Sequence, residues 1–139
     1  AGTATQPVVV NLYSIPTGEL LQYANVTLIG SETLQLEDQS LTLVNVPING
    51  VVDDANVHDL VVEVFTPNGQ AQGHIFFMGS NGHGQTGESY VVAPDCGVLE
   101  PRTTSSLGAP QMHIVLAVTG SGETQTLAGT WGEVKATYR

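Results

Sequence analysis

Apolar and polar residues alternate with a period of two along most of this chain, and no stretch of twelve residues carries a 3.6-residue repeat. The pattern predicts strands and, at most, short helices. From Gln6 to Tyr13, the residues Val8, Val10 and Leu12 fall on one face and Val9, Asn11 and Tyr13 on the other. Pro16-Thr17-Gly18 breaks that run as a turn, and Glu19 to Ile29 resumes it until Gly30-Ser31. Two further strands are expected at Leu34–Leu36 and Leu41–Val46, the second ended by the turn Pro47-Ile48-Asn49-Gly50.

The strongest local pattern is central. His58 to Phe65 sets Leu60, Val62 and Val64 against Asp59, Val61 and Glu63, and Pro67-Asn68-Gly69 follows. Proline presets φ for a turn and Asn-Gly tolerates positive φ, so Gln70 to Met78 is expected to return antiparallel beside it. Residues 79 to 87 hold four glycines in nine positions and read as a loop. Ser89 to Ala93 reads as a short strand and Pro94 to Pro110 as a long irregular connection. Gln111 to Thr119, Glu123 to Ala128 and Thr130 to Tyr138 complete the set, with Trp131 in the last. Eight to ten short strands punctuated by turns predict one all-β domain over residues 1–139. The expected fold is an antiparallel β-sandwich, jelly-roll or Ig-like, with a small barrel as the alternative.

Composition narrows what such a domain does. The chain has 139 residues, one cysteine and only 12% charged residues, so it can build a single core without disulfides. Its net charge is −10, and all three basic residues, Arg102, Lys135 and Arg139, come after position 101. A surface this acidic repels phosphate backbones and anionic lipid, which argues against nucleic acid as a partner. No apolar run approaches the length of a spanning helix, which argues against membrane insertion by helices. The chain opens at Ala1 with no apolar leader, a start shared by processed secreted proteins and by cytosolic ones that have lost the initiator Met.

Candidate chemistry is sparse. Asp53, Asp54 and Asp59, with Asn56 among them, offer hard oxygen ligands at the entry to a strand, the chemistry calcium favours in extracellular β-domains. No cofactor is required by the sequence, and calcium is the ion these oxygens would take, although the regular EF-hand spacing is missing. His74, His83 and His113 are the histidines from which a zinc or copper site would be drawn, but they lack ligand spacing. Cys96 has no basic neighbour in sequence to support a thiolate, and the glycines of 79 to 87 lack the lysine of a phosphate loop. No catalytic residues are assigned and the chain is read as a non-enzyme.

The expected function rests on the second face of the strands. Val9 and Tyr13, Thr27 and Ile29, Val61 and Phe65, Ile75 and Phe77, and Val115 and Ala117 are apolar, aromatic or β-branched where a solvated monomer would carry charge, and few of these strands carry a lysine guard at their edges. This predicts a structural subunit that packs against copies of itself, as in capsid decoration, pilus-like fibres or surface layers, at an extracellular, cell or virion surface. Residues 1–15 carry the pattern of an N-terminal strand that a neighbour could exchange. The alternative is a binding module for carbohydrate or calcium whose loops 79–87 and 94–110 form a ligand surface with His83, Tyr90 and Arg102.

Overall fold

The computed structural model describes residues 5–69, 71, 73–81, 87–120 and 135–138, and the fold is all-β. Among the described residues there are eight strands: β1 (Gln6–Pro16), β2 (Thr27–Leu36), β3 (His58–Phe65), β4 (Ser80–Asn81), β5 (Ser89–Ala93), β6 (Val98–Thr103), β7 (His113–Ile114) and β8 (Lys135–Tyr138). Six of them form one sheet in the order β2-β1-β3-β8-β5-β6, and β4 pairs with β7 in a second, two-stranded sheet. Among the described residues the large sheet ends in β2 on one side and β6 on the other, so it does not close on itself.

The period-two pattern places the core. β1 pairs antiparallel with β3 so that Leu12 lies opposite Val62 and Val10 opposite Val64. Their side chains share one face with Val8, and the five residues make a buried cluster. Burying an apolar side chain of this size is worth about 1.5–3 kcal/mol against leaving it in water, which is what fixes the register. The other face is also covered. Ile15, Leu21 and Val61 are buried there, with Tyr13, Val26 and Tyr90 packed around them. Val61 to Val64 are thus buried in succession, as expected of a strand enclosed from both sides.

Each face has its own cover. The segment after β1 turns at Gly18, runs through a 3-10 turn at Tyr23–Asn25 and lays Leu21 and Val26 over the Val61 face. On the Val62 face, Val46 and Ile48, Phe76 and Met78, and Leu116 and Val118 pack against the central cluster from three extended segments. The last two continue β4 and β7, whose pairing extends to a bond from Val115 N to Gly79 O.

Several expected elements differ. The hairpin from His58–Phe65 into Gln70–Met78 does not form: β3 keeps the expected bounds, but its two edges are occupied by β1 and β8. His74 N instead donates to Gly69 O, and Phe76 and Met78 go to the layer above. The strand expected at 41–46 is absent and that segment is irregular. The strand expected over Glu19–Ile29 starts only at Thr27 and continues through Gly30 to Leu36, with a bulge that leaves Ile29 unpaired. Gly30 sits mid-strand because a Cβ there would run into the Asn49 carbonyl oxygen of the crossing segment. The 94–110 connection contains β6, entered by a 3-10 turn at Pro94–Cys96 that Gly97 ends in the left-handed region, φ 77°. Of Gln111–Thr119, only His113–Ile114 is paired as strand. The sheet is also not purely antiparallel, since β8 runs parallel to both β3 and β5. The strand expected at 123–128, and Trp131, lie outside the described residues.

Candidate functional site

The outer side of the layer over the Val62 face is where the sequence pattern and the structure meet. Phe76 and Met78 point to the core, so the alternate residues Ile75 and Phe77 point away, and they are 75% and 86% exposed. Continuing the β4–β7 register, in which Ser80 faces Ile114, sets Phe77 opposite Ala117 and Gly79 opposite Val115. Ala117 is exposed and Val115 is 45% exposed, so two neighbouring segments present one apolar outer surface. Leu41 and Leu43, in the irregular segment leading to Val46 and Ile48, are also exposed. No Lys, Arg, Asp or Glu occurs in residues 73–81 or 113–118 to break this surface. Of the other second-face residues named from sequence, Val61 is buried, Tyr13 packs beside it and Ile29 packs on the central cluster, which corrects their assignment to an outer surface.

The opposite face carries a polar arrangement that the pattern did not single out. Glu63, 1% exposed, accepts hydrogen bonds from Asn11 Nδ2 at 2.9 Å and Tyr13 OH at 2.8 Å on Oε2, and from Tyr23 OH at 2.8 Å on Oε1. Asn11 Oδ1 in turn accepts from Ser31 Oγ at 2.7 Å. Ser31, Asn11 and Glu63 are register partners on β2, β1 and β3, so the three form one row across the sheet. A buried carboxyl costs too much to leave without donors, and this row together with two phenols supplies them. Beside it, Leu21, Gln22, Val26 and Pro101 help line a cleft with about 10 Å³ of room, enough for one water molecule. The available signal was an acid between Val61 and Phe65, with Asn11 and Tyr13 alternating on an adjacent strand.

The residues expected to hold calcium are engaged separately. Asp54 Oδ1 accepts from Asn56 N at 2.9 Å and Asn56 Nδ2 at 3.0 Å, a side-chain-closed turn before β3. Asp59 Oδ1 accepts from Thr17 Oγ1 at 3.1 Å, joining the two turns at this end of the sheet, and Asp53 is exposed. Among the described residues no three of His, Cys, Asp or Glu gather as a metal-binding group.

Of the expected ligand surface, Tyr90 and Arg102 lie on the paired strands β5 and β6, Arg102 opposite Val91. Arg102 is exposed, whereas Tyr90 is half-buried against the Ile15 cluster, and burial followed by the charge of Glu88 raises its pKa above 10.0. His83 lies outside the described residues. His113 is buried with neither ring nitrogen hydrogen-bonded, His74 is half-buried, and Cys96 is free and exposed. Residues 6–15 of the expected exchangeable segment belong to β1, which lies between β2 and β3 of its own chain. Among the described residues no helix is long and apolar enough to cross a membrane. No protein family, curated protein or solved structure matches the chain.

Proposed function

We propose that this chain is a β-sandwich that serves as a non-enzymatic structural subunit, assembling with copies of itself in a capsid-decorating, fibre-like or surface-layer role. What carries the reading is the outer surface formed by Ile75, Phe77, Val115 and Ala117, apolar and without a charged residue on either segment. Phenylalanine and isoleucine exposed together in register are better satisfied by a protein partner than by water. A second copy is the partner argued for because no charged residue lies on either segment, so the like charges of two protomers, each net −10, are kept off these two segments at the contact. A chain so placed works at an extracellular, cell or virion surface, where the lack of lysine and arginine before residue 102 also leaves trypsin no cleavage site in the first 101 residues.

Light scattering on the purified chain tests this. A defined mass at a multiple of 14.6 kDa supports the reading. A monomer at every concentration removes it, and a monomer retained on immobilised glycan supports the binding-module alternative built on loops 79–87 and 94–110.

A further inference from the structure

The two edges of the large sheet are built differently. β6 is six residues long and contains Pro101 between Glu100 and Arg102, and Glu100 Oε2 also accepts from Tyr23 N. Proline and charge are the usual means by which an edge strand avoids pairing with another chain. β2 has ten residues, Thr27–Leu36, with no proline, no cation and Glu32 as its one charge. Its inner edge is taken by β1, and among the described residues no further backbone hydrogen bond reaches residues 27–36. Among the described residues a row of backbone donors and acceptors is therefore open along β2 from Ser31 to Leu36, beyond the place where Asn49 and Gly50 pass Gly30.

Resting on the self-assembly reading above, we propose that β2 pairs antiparallel with β2 of a second copy across a two-fold axis, joining two six-stranded sheets into one. Alternation and charge select the register. Residues directly opposite must share a face, and Glu32, Leu34 and Leu36 share the face of Val10 and Val8. A register that faces Glu32 with Glu32 is electrostatically unfavourable. A register centred on Leu34 faces Leu34 with its twin, Glu32 with Leu36, and Thr33 with Gln35 of the second copy. The two Glu32 carboxyls are then four residues apart along the strands, about 14 Å, beyond the roughly 8 Å Debye length at physiological salt. Leu34 and Leu36 already pack against the central cluster, so this register carries the apolar face across the junction. Because the same strand serves both copies, the contact closes on itself as a dimer, leaving the Phe77 surface to extend the assembly.

Thr33 and Gln35 are exposed, so charges placed there test the junction in the full chain without disturbing the core. In the Leu34-centred register, Thr33→Lys with Gln35→Lys sets two ammonium groups against two others, and sedimentation velocity should show that the β2 junction no longer forms. Mixing that variant with Thr33→Glu/Gln35→Glu chains should restore a mixed dimer, with each variant's thermal melting matching that of the unaltered monomer. If the lysine variant assembles as the unaltered chain does, assembly uses another surface and β2 pairing is wrong. Dissociation without rescue by the glutamate chains rejects the Leu34-centred pairing. An unaltered chain that is monomeric throughout overturns both this proposal and the self-assembly reading.

Discussion

Tyr23 and Glu63 are forty residues apart in sequence and meet through one hydrogen bond, the phenol donating to Oε1 at 2.8 Å. The bond fastens the segment crossing over the sheet to its central strand, while the backbone N of the same Tyr23 donates to Glu100 on β6. Tyr23→Phe keeps the ring and removes one donor, a loss of about 1–3 kcal/mol at a buried carboxyl. Glu63→Gln should cost more. A carboxamide has one accepting oxygen, and its nitrogen only donates, so of Asn11, Tyr13 and Tyr23 at least one donor is left facing an amide group. Urea midpoints of the two variants, compared with the unaltered chain, check the order.

Gly30 makes a second prediction through space rather than hydrogen bonding. A Cβ there meets backbone, the Asn49 carbonyl, with Gly50 close behind, so no side-chain rotation relieves the clash. Gly30→Ala should destabilise by about 1–3 kcal/mol, as overpacking does. Thr33→Ala, exposed on the same strand, should stay within about 0.5 kcal/mol in the same denaturation experiment.

The sequence carried the strands that lie in the core and lost those whose partners are distant. The bounds of His58–Phe65 and Ser89–Ala93 follow directly from alternation and turn residues. The Asn68-Gly69 turn misleads because turn chemistry is local, whereas β3's neighbours, β1 and β8, are chosen by burial from the two ends of the chain. Gly30 reads locally as a strand end, yet it is a place where another segment passes close by, something visible only once Asn49 is positioned. The same limit applies to the sites. Ile75 and Phe77 were legible as an outer face because alternation alone sets their direction. Glu63 was legible as an acid in an apolar strand, but its third donor arrives from a 3-10 turn with no sequence link to β3.

Tyr90 gives the chain an alkaline limit. Its pKa is raised by burial first and by Glu88 second, so the folded protein holds the phenolic proton more tightly than the unfolded chain does. A raised pKa contributes stability that is complete below the unfolded value near 10 and is lost as pH climbs through the folded value. Denaturation midpoints should therefore fall above about pH 10. Tyr90→Phe has no proton to lose and should flatten that part of the profile while leaving neutral pH dependence unaltered. An unchanged alkaline slope in Tyr90→Phe would assign it to other tyrosines.

Phe76 and Phe77 separate folding from assembly, since adjacent residues in an extended segment face opposite ways. Phe76 packs on the central cluster, so Phe76→Asp sets a carboxylate against that apolar cluster and should leave the chain unfolded. Phe77 faces outward at 86% exposure, so Phe77→Asp removes apolar surface from water and should leave the melting temperature nearly unchanged. Its effect should fall on mass instead. In an assembly held by this surface, as proposed, the new carboxylate would sit near Ala117 and the apolar surface of a second copy, a cost no cation on these segments offsets. Circular dichroism together with light scattering on both variants reads the two outcomes separately: a folded Phe77→Asp of lower mass supports the apolar surface as an interface. A folded Phe77→Asp that assembles like the unaltered chain removes that surface from the assembly.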